Sequence, residues 1–191
     1  MAKPKTNDDK LVMISVQGVV SPPMHKGQHS FDKNGKPFML PGTGGITYNI
    51  QAGDPAFGWE ADHIEPSVSA IANFEKRFEG QNNGFNFYSC TGNEAKIVSG
   101  DAKGDKGVVL GHHGGAEHVI IEFSRETKDK MLMDDKILVR GFGQGLKFVD
   151  YPEIAVCNLD PRILDKWDIE DTEHGILEIP AEDVPGQLMG S

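Results

Sequence analysis

The stretch GNEAKIVSGDAKGDKGVVLGHHGGAEHVIIEF, residues 92–123, decides how the chain folds. Glycines stand at 92, 100, 104, 107, 111, 114 and 115, separated by the short β-branched runs KIV, GVVL and HVIIEF. Such runs between turn residues read as strands. A glycine inside a strand pattern marks a bulge or a sharp corner, which a small closed barrel requires. The segment therefore reads as consecutive strands of a small barrel or sandwich.

The same alternation extends outward. Upstream, Leu11–Val20 (LVMISVQGVV) is a strand stopped by Pro22-Pro23, and Ile46–Ile50, Val68–Ala72 and Phe85–Cys90 are further strand candidates. Downstream lie Lys136–Arg140, Leu146–Val149, Ile154–Val156 and Gly175–Ile179. Two short helices are expected. Ser124 can cap one over Arg125–Met133, and Asp160 can cap another with Pro161 at its first position, running through Ile163, Leu164 and Trp167. The expected fold is mainly β: a small Gly-rich β-barrel with β-sandwich-type elements and one or two short helices. Residues 1–9 are expected as a flexible tail, 10–160 as the barrel-containing domain, and 161–191 as the start of a second, incomplete domain.

Glycine makes up 23 of 191 residues, well above the usual share of about 7%, and barrel turns account for most of the excess. With 19 basic and 29 acidic side chains the net charge is −10, which disfavours counterion-releasing contacts with nucleic acid. Lys96, Lys103 and Lys106 cluster, but Asp101 and Asp105 sit among them. No stretch approaches the ~20 apolar residues that span a bilayer, and the N-terminus has no apolar signal core. Cys90 and Cys157 follow no metal or disulfide spacing, so a cytoplasmic location is expected.

Three segments carry candidate chemistry. In the Pro/Gly-fixed loop around Trp59, the residues Asp54, Glu60, Asp62, His63 and Glu65 could ligate a divalent metal or form an acid–base pair, or serve as turn residues. In Gly111-His112-His113-Gly114-Gly115-Ala116-Glu117-His118, the adjacent histidines point to opposite faces of a strand. His113 and His118 converge only if the Gly114-Gly115 turn folds the chain back. The spacing is not that of a helical zinc-protease motif. Pro41-Gly42-Thr43-Gly44-Gly45 lacks the following helix that phosphate loops use, so it is expected to line a pocket or pack against another strand.

Longer stretches carry a family resemblance: Leu40-Pro41-Gly42-Thr43-Gly44-Gly45-Ile46-Thr47-Tyr48-Asn49, Gly53-Asp54-Pro55-Ala56-Phe57-Gly58-Trp59, Asp62-His63-x-Glu65-Pro66, Gly92-Asn93-Glu94-Ala95, Ser99 to Gly104, Gly114 to Val119, and Gly143 to Leu146. On these the chain resembles the uncharacterised DUF4438 family. The resemblance implies a β-barrel combined with a β-sandwich-type domain, no assigned activity, and members longer than this chain.

The resemblance leaves three readings of the end at Ser191: a truncated chain, a proteolytic nick, or a self-cleavage terminus. The expectation adopted is one chain of a self-processed, hydrolase-like enzyme acting on a small metabolite. Asp62, His63, His113, Glu117 and His118 would do the acid–base chemistry. Thr43, Gly44, Gly45, Trp59 and Gly114 would bind substrate, and Asp54, Asp62, His63 and His118 are the candidate ligands of a divalent metal. A companion chain from the same precursor would bring the N-terminal nucleophile or a pyruvoyl group, and a homo-oligomer is expected. The competing class is a non-catalytic binding or assembly module.

Overall fold

The structure, a computed structural model, describes residues 3–25, 30–38, 42–50, 64–76, 79–114, 118–172 and 177–179. Six strands close an antiparallel barrel: β1 (Ile14–Val20), β4 (Val68–Ile71), β5 (Glu94–Ile97), β6 (Lys106–His113), β7 (His118–Glu122) and β8 (Lys136–Gly141). Their order around the wall is β1-β4-β7-β6-β5-β8, and β8 returns to β1 over Ile14↔Gly141 to Val19↔Lys136. Closure leaves none of these six strands as a free edge. Two small two-stranded sheets complete the β structure. One pairs β2 (Ser30–Phe31) with β3 (Pro37–Phe38), the other β9 (Glu170–Asp171) with β10 (Leu177–Glu178). The fold class is as expected: mainly β, with a closed barrel and few short helices.

The barrel core is apolar and closely packed, with Val20, Val68, Ala70, Ala95, Ile97, Val109, Val119, Ile121, Ile137 and Val139 pointing inward. Phe85, on helix α1 (Gly80–Tyr88), joins this core. It lies against β1 at Gly18, where an added Cβ would come within 2.6 Å of the Phe85 ring. The aromatic alternation of 85–90 reads as a strand, but these residues belong to or follow α1. The sequence GQNNGFNFY is a poor helix former, and packing of Phe85 supplies what propensity does not. Buried Asn82 adds to the fixation: its amide donates to the carbonyls of Asn73 and Lys76, and its oxygen accepts from the Asn73 N–H.

Helix α2 (Arg125–Lys128) is capped by Ser124, whose Oγ accepts from Thr127 N–H at 3.2 Å. It stops short of the expected Met133 because the backbone tightens into three-residue turns at Lys130 and Met131. Helix α3 (Pro161–Leu164) starts at the Asp160 cap with proline at its first turn and also ends before Trp167. Ile46–Ile50 contributes only an isolated bridge, Ile46↔Val68, and Leu146–Val149 only Thr6↔Phe148. Residues 154–156 take no regular structure.

A second apolar cluster, Leu146, Phe148, Tyr151, Leu159, Leu164 and Ile169, lies outside the barrel and takes in residues on both sides of position 160. The N-terminal segment runs beside it, with Val149 N–H donating to the Lys5 carbonyl and Lys147 N–H to Asn7 Oδ1. The cluster is tied to the barrel by Asn93. The Asn93 amide donates to the Phe142 carbonyl and to Asp160, while its oxygen accepts from the N–H groups of Cys90 and Phe142.

The Phe85–Gly18 contact makes α1 part of the core rather than an ornament on it. Phe85→Ala is expected to lower unfolding free energy by about 3–5 kcal/mol, measured as a shift in urea midpoint with an unchanged m-value.

Candidate functional site

A cluster of buried polar side chains sits on the outer wall of the barrel. Its position follows from a slip in the β6–β7 ladder. Val109 pairs with Ile121 and both face the core, but the next pair is Gly111↔Ile120, one residue out of step on β6. A bulge of this kind moves every later side chain to the opposite face of its strand. His113 therefore comes to face outward beside His118, its direct partner in the ladder, which precedes the inward-facing Val119. His112 takes the opposite face. Burial pushes its basicity down against the support of the Ser89 and Asn86 carbonyls.

Glu65 meets the two histidines from the segment leading into β4. Between them, Ser67 adopts φ 55°, an uncommon left-handed conformation for a residue with a side chain. Two bonds hold that kink: Thr47 N–H to the Ser67 carbonyl, and Phe123 N–H to Ser67 Oγ. The kink delivers the Glu65 carboxylate, 2% exposed, to four donors. Oε2 accepts from Gly44 N–H at 2.6 Å and from Ser69 Oγ at 2.5 Å. The Nδ1 of His113 donates to Oε1, and that of His118 lies 2.8 and 2.9 Å from the two oxygens. An ionised carboxylate offers about four acceptor sites, so Glu65 is fully used. On the far side of His118, Nε2 lies 2.9 Å from Ser21 Oγ, which itself reaches the Pro22 carbonyl at 3.3 Å.

Electrostatics follow from this geometry. Burial alone would raise the Glu65 carboxyl, but the hydrogen bonds from His113 and His118, the charge of His118 and the Ser69 hydroxyl outweigh it. The group is held well below the usual carboxylate range and is ionised at neutral pH. Ser21 and His118 are fully buried, while His113 keeps 10% of its side chain exposed.

The glycine loop forms the cover. Thr43 pairs with Met24, Gly45 N–H donates to the Ser21 carbonyl, and Ser69 N–H donates to the Gly45 carbonyl. Gly44 has φ +89°, and an added Cβ would stand 2.6 Å from the Pro22 carbonyl oxygen and 3.4 Å from His118 Cε1. Only glycine fits there.

Of the residues expected to act, the structure thus gathers His113, His118, Thr43, Gly44 and Gly45, with Gly114 following His113 at the end of β6. Asp54, Trp59, Glu60, Asp62, His63, Glu117 and Ser191 lie outside the described residues. Among the described residues no group of three or more His, Cys, Asp or Glu is disposed to hold a metal ion, and both nitrogens of His118 are engaged in hydrogen bonds. Ser21 and Ser69 carry no motif and escape sequence reasoning. Glu65 stands in the acidic loop, yet nothing in its spacing marks it as the centre.

The cysteines stay apart from this cluster. Cys90 is buried, and burial with the nearby Asp160 carboxylate pushes its thiol up to about 12, which makes it an inert packing residue. Cys157 is exposed. A separate open cleft of about 640 Å³ runs between the outer face of β5–β6 and α3, bordered by Glu94, Lys106, Val108, Arg162 and Lys166. No helix among the described residues is long and apolar enough to cross a membrane.

A closed six-stranded antiparallel barrel with a buried carboxylate–imidazole cluster on its wall defines the class of protein. The chain belongs to the family described as domain of unknown function DUF4438, N-terminal, whose model matches residues 29–165. It is similar to the crystal structure of TM1086, with 41% sequence identity and a TM-score of 0.85. That match covers 94% of this chain and 62% of the other, so the chain spans less than two thirds of that relative's length. No curated protein matches it.

The lowered Glu65 sets a pH dependence. A carboxyl depressed by folding adds stability that is present above its ordinary value of 4.5 and is lost as pH falls below it. Glu65→Gln is therefore expected to cost about 3 kcal/mol or more at pH 7. In urea titrations the gap from the unmodified protein should narrow as pH drops below 4.5.

Proposed function

We propose that the chain is the barrel-bearing part of a hydrolase-like enzyme acting on a small metabolite, with the Glu65–His113–His118 cluster as its acid–base centre. The observation that supports this reading is one buried, ionised carboxylate aimed at two imidazoles. A base oriented by a second group is the arrangement that proton transfer at neutral pH uses. The glycine cover buries His118 and leaves the exposed part of the cluster at His113. Thr43, Gly45 and Gly114 border the cluster and would contact that ligand.

The proposal includes a companion polypeptide from the same precursor, bringing an N-terminal nucleophile or a pyruvoyl group to the site. Intact-mass analysis of protein expressed from the full gene tests it. Two chains summing to the encoded mass are the expected result, and one uncut polypeptide excludes self-processing.

A second reading, a binding module without catalysis, is favoured by the open cleft of about 640 Å³ between β5–β6 and α3. Turnover separates the two. Across a panel of small esters, lactones and amides, the protein should hydrolyse at least one member. His113→Gln should lower kcat/KM for it by about 10²- to 10⁴-fold, the share general acid–base catalysis contributes, with the near-UV spectrum unchanged. Hydrolysis that survives His113→Gln undiminished would count against the site.

A further inference from the structure

We infer that the cluster divides its labour: Nε2 of His113 meets the ligand, while Glu65, His118 and Ser21 act as positioning residues. The inference deepens the acid–base reading above and rests on it for the reaction, although its geometry stands alone.

Glu65, being ionised, can only accept, so each Nδ1 that faces it carries a proton. In a neutral His113 the lone pair is then on Nε2, whereas His118 is settled by its second partner. For His118 that atom already faces Ser21 Oγ at 2.9 Å, and the ring is fully buried. Both of its nitrogens are satisfied inside the protein. For His113 the only hydrogen bond among the described residues is the one to Glu65, and the side chain keeps 10% exposure. Its Nε2 is thus a basic, accessible lone pair on a ring whose tautomer a buried carboxylate has chosen.

Ser21 holds His118 from the opposite side. Its backbone is fixed by Ser21 N–H to the Ser69 carbonyl and Gly45 N–H to its own carbonyl. The single Nδ1–H of His118 is shared between both oxygens of Glu65, which holds the carboxylate in one orientation toward His113. The complementary ligand is a small molecule, or water, that presents an O–H or N–H to Nε2. In a hydrolytic step the O–H oxygen bonds to the electrophilic carbon as its proton passes to His113 Nε2. That proton then moves to the leaving group as its bond to carbon breaks.

Diethyl pyrocarbonate reads this assignment without any substrate. Nε2 displaces ethyl carbonate, forming an N–C bond, and the leaving group takes the ring proton and breaks down to ethanol and carbon dioxide. Peptide mapping of the folded, full chain should show His113 carbethoxylated about tenfold or more faster than His118, which reacts only through local opening. Comparable rates, or a faster His118, would overturn the assignment. Long-range ¹H–¹⁵N spectra of the imidazoles give a second readout. His113 should appear as the Nδ1-protonated tautomer in the unmodified protein and lose that preference in Glu65→Ala, whereas an Nε2-protonated His113 in the unmodified protein contradicts it. Should no substrate be hydrolysed while the mapping holds, the enzyme reading fails and the assignment stands. Should hydrolysis occur with His113 protected from the reagent, the reverse applies.

Discussion

Burying an ionised carboxylate on the wall of a β-barrel is costly unless every acceptor site is filled, and around Glu65 every site is. The donors come from distant parts of the chain: Gly44 from the cover, Ser69 from β4, His113 from the end of β6 and His118 from the start of β7. Ser21, just past β1, joins through His118. One charge therefore sets the position of the glycine loop against the barrel and the spacing of the β6–β7 turn. A neutral side chain of the same shape would need fewer donors and would fix none of them so tightly.

The bulge between Val109 and Gly111 is what makes this compatible with a packed core. Without it, strict alternation would turn His113 toward the side occupied by Val109, Val119 and Ile121, where an imidazole has no partner. With it, β6 serves both faces in turn: Val109 fills the barrel, and His113 reaches Glu65 outside it. Gly111 sits at the slip, where the absence of a side chain eases the local bend. The glycine excess thus has two physical uses, bending strands and, at Gly44, letting a backbone lie directly over an imidazole.

Much of the barrel is legible in the sequence. Strands β1, β4, β5, β6, β7 and β8 all correspond to β-branched runs bounded by glycine or proline, because the strands of a closed wall bury one face and carry that pattern locally. Phe85–Cys90 misleads for the converse reason: its aromatic residues alternate as in a strand, but Phe85 is held by a long-range contact with Gly18. Ile46–Ile50 has strand composition, yet it runs beside the start of β4 as a cover and pairs only at Ile46. The candidate site is legible in part. Histidines flanking a double glycine point to a hairpin, and the hairpin does bring His113 and His118 together. The partners that give them chemistry do not show, since Glu65 lies 48 residues from His113 and Ser21 lies 97 from His118. No local pattern encodes a contact made by register and barrel closure.

The second apolar cluster bears on how such a site could be kept rigid. It is anchored through Asn93, whose side chain uses donor and acceptor groups on Cys90, Phe142 and Asp160, and through Asp160, which also caps α3 and pairs with Arg162 at 2.5 Å. These residues flank the start of β5 and the end of β8, the two strands that pair with each other beside the closure of β8 on β1. The outer cluster thus braces the β5–β8 side of the closed wall, while the Ser21–His118–Glu65–His113 line crosses its β1–β4–β7–β6 side.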